Sequence, residues 1–134
     1  MKKLDNFVSA LRDLSHSQKE LARTDSIYRM GVIGQFNFCV ELAWKALQQM
    51  LRLHGVEGAE TGSPRDILKL GFRVGFLDDE AVWLLMLKRR NLAVHVYDEA
   101  EADQLVQEIY TSYLPAFQHL AHTLQEKMKE IQEE

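Results

Sequence analysis

The segment Arg90-Asn91-Leu92-Ala93-Val94-His95-Val96-Tyr97 places a guanidinium, an amide, an imidazole and a phenol close together. Arg grips phosphate oxygens in a forked geometry. His is the side chain whose ordinary pKa lets it give and take protons near neutral pH. Together they suffice, in principle, to cleave a phosphodiester without a metal. The imidazole takes the proton of a ribose 2′-hydroxyl or protonates the leaving oxygen. The guanidinium stabilises charge that builds on phosphorus. Helical spacing puts Asn91 and His95 on one face, where the amide can orient a phosphate oxygen or the imidazole. Arg90 is five residues from His95, so an unbroken helix turns it away by about 140°. It reaches the same cleft if the helix ends before His95 or if two subunits contribute. The plainer alternative is a helix end, with His near the C-terminus and Arg paired to a carboxylate. Spacing alone favours that plainer reading.

The elements that must carry this segment follow from composition and periodicity. The 134 residues suit one domain over 1–134. Only 7 Gly and 2 Pro, with few alternating runs, favour helices and leave no strong strand candidate. Leu4, Phe7, Val8, Leu11 and Leu14 form the stripe of a first helix. Thr24-Asp25-Ser26 offers N-caps for a second, expected over about Ile27 to His54, in which Gly31 and Gly34 permit close approach by a neighbouring helix. Gly55, Gly58 and Gly62 mark a loop. Ser63-Pro64-Arg65-Asp66 then reads as a helix start with Ser63 as N-cap, and this third helix is expected to end at Gly75. Asp78 is expected to cap a fourth helix, whose body, Ala81 to Leu87, is apolar on every side and so must be buried all round by its own bundle or a partner subunit. Asp98-Glu99-Ala100-Glu101 resembles a capping box, with Asp98 as N-cap and Glu101 reaching back. The fifth helix runs to the terminus, kinked or interrupted at Pro115, with a charged, solvated tail. The expectation is an all-α, antiparallel up-and-down bundle of about five helices.

The charge balance narrows the function. A net charge of −4 argues against a duplex-DNA binder, which needs a broad basic face. A helix-turn-helix reader built on the third and fourth helices is therefore a poor fit. The densest basic patch is Lys88-Arg89-Arg90. A single Cys39 excludes an internal disulfide and a Cys-based zinc site, and its apolar surroundings read as a small buried hydrophobe. No signal peptide and no apolar run of about 20 residues is visible, so the expectation is a cytoplasmic protein with no membrane span.

Four further residues stand out. Glu41 lies in an apolar helical stretch and needs a partner. Lys45, one turn on, is the nearest, and Arg90 is the tertiary alternative. Trp44 reads as core or interface more readily than as a base-stacking platform. Arg65 and Asp66 could hold a phosphate at the third helix's start, although capping explains them equally well. His119, His122 and Glu126 share a helix face, which reads as solvated and not as a metal site. There is no Gly-rich phosphate loop and no Gly-Ser pair with nearby acids, so the chain is not expected to transfer nucleotides by itself.

Arg90-Asn91, His95 and Tyr97-Asp98-Glu99, in an all-α chain, resemble the motif of the HEPN superfamily. Phe36-Asn37-Phe38 through Glu41-Leu42-Ala43-Trp44-Lys45, Ser63-Pro64-Arg65-Asp66, and the stretch from Trp83 through Met86 and Leu87 to Arg90 resemble one branch of it, the nucleotidyltransferase substrate-binding protein family. The resemblance covers roughly residues 5 to 130, with three motifs in order. It implies a HEPN-like helical homodimer that pairs with a separate minimal nucleotidyltransferase. It also implies kinship with metal-independent endoribonuclease toxins of toxin–antitoxin pairs, in which Arg90 and His95 would be catalytic, with Asn91 beside them, and the substrate would be RNA. Glu41, Trp44, Lys45 and Arg65 would then contact substrate or partner. In such pairs the nucleotidyltransferase is the antitoxin and transfers AMP to a Tyr, here Tyr97; ATP would enter only through that partner, and the chain would need no cofactor or metal of its own. The alternative is a non-catalytic subunit that presents substrate to the nucleotidyltransferase.

Overall fold

A computed structural model describes residues 2–93 and 98–132, with the backbone alone described at 91–93. Every described element is helical: α1 (Lys2–Ser15), α2 (Lys19–Thr24), α3 (Ser26–Leu53), α4 (Pro64–Arg73), α5 (Glu80–Ala93), α6 (Glu99–Glu108) and α7 (Leu114–Gln132), with a π-helical turn at Ile109–Tyr113 between the last two. The fold is the all-α bundle expected. Among the described residues no helix is long and apolar enough to cross a membrane.

The spine is α3, about 42 Å long at the usual rise. It packs against every other α-helix. Asp25 starts it by accepting from the backbone N–H groups of Ile27 and Tyr28 at 2.9 and 3.0 Å. Its buried residues, among them Val32, Ile33, Phe36, Cys39, Val40, Ala43 and Leu47, recur at steps of three and four. The core is anchored by aromatic rings from four elements: Phe36 stacks on Tyr113 of the π turn at 5.4 Å, while Phe117 of α7 meets Trp83 of α5 edge-on at 5.6 Å. Burial pushes the Cys39 thiol up to about 12, with Asp13 adding to it, so this cysteine stays protonated at neutral pH.

The structure corrects several expectations. Gly31 and Gly34 face open space, with nothing within 4 Å of a built Cβ. The close approach is at Gly71 of α4, where a Cβ would stand 2.9 Å from a Leu47 methyl. The third helix, α4, does end at Gly75 as expected: Arg73 is its last helical residue, Val74 the cap, and Gly75 turns the chain away at a φ of 87°. Asp79, not Asp78, accepts from the first turn of α5 (Val82 N–H, 3.3 Å); Asp78 instead meets His119 of α7. Within the chain itself α5 buries part of its surface: Trp83 and Met86 face the core, and Leu85 on the opposite side is 42% exposed, which leaves the partner-subunit alternative standing. The expected interruption near Pro115 takes the form of the π turn between α6 and α7. The preceding turn slips to a wider ladder, with Leu114 N–H bonded to the Ile109 carbonyl, and this absorbs the missing donor. The charged tail is docked in part, since Met128 and Ile131 pack on the core and the Lys127 ammonium sits 4.9 Å from the centre of the Phe76 ring.

The six-residue α2 has no periodic signal, and a tertiary contact holds it. Arg29 of α3 is buried; its Nε lies 2.9 Å from the Ala22 carbonyl and 3.0 Å from an Asp103 oxygen of α6, and its Nη2 donates to the Arg23 carbonyl. The guanidinium thus closes the C-terminal end of α2 and ties it to α6. Replacing Arg29 by Ala should lower unfolding free energy by about 3 kcal/mol in urea titrations, because the buried Ala22 carbonyl and the part-buried Arg23 carbonyl lose a charged donor. Asp103→Ala, at a half-exposed position, should cost less than about 1 kcal/mol.

Candidate functional site

Two adjacent arginines near the end of α5 turn to different carboxylates. Arg90 Nη1 donates to Glu41 Oε2 of α3 at 3.0 Å. Arg89 donates through Nε and Nη2 to the two oxygens of Glu108 of α6, at 2.9 and 3.1 Å. A step of one residue rotates a helical side chain by about 100°, and so the pair spans the gap between α3 and α6. The Glu41 oxygen that accepts from Arg90 also accepts the indole N–H of Trp44 at 2.9 Å. Of the two partners weighed for Glu41, the structure places it with Arg90; Lys45 is exposed on the same helix. Trp44 is half-buried and uses its polar edge on that carboxylate.

The second half of the network is tighter. Tyr113 donates its hydroxyl to Glu108 at 3.0 Å, on the oxygen that also receives Arg89 Nε. Burial pushes the Tyr113 phenol up to about 12, the Glu108 bond and charge add to this, and Arg89 opposes it. The packed Tyr113 ring therefore links the arginine clamp to the π turn and the aromatic core.

Arg90 also borders an open cleft of about 630 Å³ between the start of α4 and the outer face of α5, as does Arg65. Arg65 lies within a full capping box: Asp66 N–H donates to Ser63 Oγ, and Ser63 N–H donates to Asp66 Oδ2, both at 3.1 Å. The remaining motif residues fall elsewhere. Asn91 lies on α5 with its side chain outside the described atoms, and His95 and Tyr97 lie outside the described residues. At the far side, Asp98 starts α6 by accepting from Ala100 N–H at 2.8 Å. Among the described residues no group of three or more His, Cys, Asp or Glu could hold a metal ion, and His119 contacts Asp78 at 2.6 Å.

A family model described as "nucleotidyltransferase substrate binding protein like" matches residues 2–126. The chain belongs to this family. Among solved structures, a Haemophilus influenzae protein, described as having the fold of a substrate binding domain of a nucleotidyltransferase, superposes with a TM-score of 0.80 at 21% identity, over 91% of this chain and 98% of that one. A Thermus thermophilus protein superposes with a TM-score of 0.65 at 32% identity, over 93% and 98% of the two chains. The H. influenzae protein named "Probable ribonuclease HepT" is 30% identical over 74 residues, which are 54% of this chain. That match spans about half the length of the curated relative, 51%.

Within this member of the substrate-binding protein family, Glu41 of the α3 motif holds Arg90 of the α5 motif, and Arg90 shares the cleft with Arg65 of the α4 motif. Of the Arg89–Glu108–Tyr113 network, sequence singled out Arg89 alone, as part of the Lys88-Arg89-Arg90 basic patch. A bare helical wheel suggests only that Arg89 points away from Arg90.

The phenol gives a pH dependence. A group whose folded pKa lies above its ordinary value of 10 contributes stability fully below that pH and loses it as pH rises through about 12. Urea midpoints of the wild type should therefore fall more steeply between these values than those of Tyr113→Phe. Equal slopes would show that Tyr113 titrates as it does in the unfolded chain.

Proposed function

We propose that this chain is a HEPN subunit that pairs with a minimal nucleotidyltransferase and cuts RNA without a metal. The observation that carries the reading is the Glu41–Arg90 contact, which fixes a guanidinium at the mouth of a cleft and five residues before the imidazole of His95. A fixed, charge-bearing donor is what a phosphodiester transition state requires, because no reorganisation is needed when charge builds on phosphorus. Support also comes from the ribonuclease name of the H. influenzae relative, over the half of it that matches.

In the proposed reaction, the 2′-hydroxyl oxygen attacks the adjacent phosphorus, and the bond to the 5′-oxygen of the next nucleotide breaks. A neutral His95 takes the hydroxyl proton. The 5′-oxygen leaves with a proton from a second imidazole, supplied by His95 of a second copy in a homodimer. The products are a 2′,3′-cyclic phosphate and a 5′-hydroxyl. Arg90 stabilises the phosphorane charge, Asn91 orients a phosphate oxygen, and Glu41 is a positioning residue. The nucleotidyltransferase, drawing on ATP, silences the site by placing AMP on Tyr97, where added bulk and negative charge compete with RNA for Arg90. All of this belongs to the cytoplasm, where RNA and ATP meet.

A second reading has its own observation. Glu41 balances the charge of Arg90, which suits a non-catalytic subunit that presents substrate to a nucleotidyltransferase partner, as the family's description suggests. The two readings separate in one assay. Purified protein, given labelled RNA in excess EDTA, should cut it. His95→Ala and Arg90→Ala should each slow cutting by at least about a hundredfold. Intact RNA under all conditions, together with altered substrate binding by His95→Ala, would favour the presenting role.

Glu41→Ala should reduce cleavage while changing stability by less than about 1 kcal/mol, because both partners are part-exposed. Glu41→Asp should restore part of the rate. Co-expression with the partner and ATP should add the mass of an AMP group to the peptide containing Tyr97, and should leave Tyr97→Phe unmodified.

A further inference from the structure

A second hollow, of about 420 Å³, lies at the other end of α5, where the preceding loop, the first turn of α5, the π turn and α7 meet. It shares no residue with the cleft beside Arg90. Its apolar surface comes from buried Leu77, Trp83 and Leu120, with Val82, Pro115 and Ala116 beside them. Its polar groups converge from three elements: Asp78 and Asp79 from the loop, Thr111 and Ser112 from the π turn, and His119 from α7. Single π turns within helices recur at functional sites. No Lys or Arg borders the hollow, and among the described residues none stands within ion-pair distance of Asp78 or Asp79. His119 Nε2 lies 2.6 Å from Asp78 Oδ2. With that imidazole neutral the rim carries two negative charges, and with it protonated it carries one. Asp79 accepts the Val82 N–H on Oδ1 at 3.3 Å, and its second oxygen has no donor among the described residues.

We infer that this hollow binds a small organic cation: an ammonium or guanidinium on an apolar body. The body covers the Trp83 side, and the cationic head donates to Asp79 and to the hydroxyl oxygen of Ser112. A mostly apolar pocket of a few hundred cubic ångströms with a few convergent polar groups suits a whole small molecule, so the occupant is a free amine and not one side chain of a partner protein. An anion of the same shape would meet two carboxylates. A neutral molecule would strip water from the free Asp79 oxygen and give it no charged donor in return. The inference is independent of the proposed function, since neither Arg90 nor His95 takes part in it.

The test is an NMR titration of the full, isotope-labelled chain. Phenethylamine is the probe, with phenethyl alcohol and hydrocinnamate as neutral and anionic molecules of similar shape. Phenethylamine should move the Trp83 indole N–H and the Ser112 and His119 amides along one saturating curve, and leave the Trp44 indole in place. The alcohol should bind at least about threefold more weakly, and hydrocinnamate should not saturate the site. Asp79→Asn keeps an oxygen that can cap α5 but removes the charge, so it should fold normally and lose at least about threefold in affinity for the amine. Ala116→Phe fills the hollow and should abolish the response; if thermal melts show that it does not fold, Asp79→Asn decides alone. Agmatine and Nα-acetyl-arginine methylamide carry the same head, one on a free amine and one as a residue in a chain. Agmatine should bind the more tightly. Tighter binding of the blocked arginine would hand the hollow to a partner's side chain and overturn the small-molecule assignment. Shifts that never saturate, an equal response to hydrocinnamate, or unchanged affinity in Asp79→Asn would each overturn the inference.

Discussion

Charge pairing at the end of α5 is the constraint on which the site depends. Arg89 and Arg90 are neighbours in sequence, and helical rotation sends them to different neighbouring helices. One closes on Glu108 and the other on Glu41, so α6 and α3 are held at a fixed separation by the same turn of α5. Each pair alone is part-exposed and contributes little to stability. Their combined effect is positional. The turn of α5 that precedes residues 94–97 is oriented from both flanks, and Asp98 fixes where the next helix begins.

The bundle supplies the stiffness this clamp needs. Phe36, Trp83, Tyr113 and Phe117 interlock α3, α5 and α7, and Tyr113 adds a hydroxyl bond to Glu108. The same ring therefore serves the core with its faces and the clamp with its edge. Its position depends on the π turn, because one extra residue per turn changes which side chain points inward at that level. Pro115 gives that slip a local cause, since the ladder must lose one donor there in any register.

Legibility in the sequence followed the range of the interactions. Ser63-Pro64-Arg65-Asp66 was readable as a helix start because every atom of its capping box lies within four residues. The long α3 was readable because its buried positions repeat over 28 residues. By contrast, α2 spans six residues and rests on Arg29 and Asp103, which no local pattern connects. Asp78 and Asp79 are equivalent caps on paper; the contact with His119, far along the chain, separates them. At the site, Glu41 had two candidate partners, one local and one tertiary, and only folding could bring Arg90 within 3.0 Å. The apolar run of α5 left two readings open for a related reason: hydrophobicity marks what avoids water, and a core face and a face for another surface look alike in one dimension.

The indole that shares Glu41 with Arg90 has an optical consequence. The chain has two tryptophans. Trp83 is sealed in the core, whereas Trp44 is half-buried, with its ring nitrogen bonded to the carboxylate that steadies the arginine. Excitation at the red edge of the absorption band favours the more polar indole, so the emission of this protein carries a native signal from beside Arg90. No label or substitution is needed to observe that carboxylate change partners.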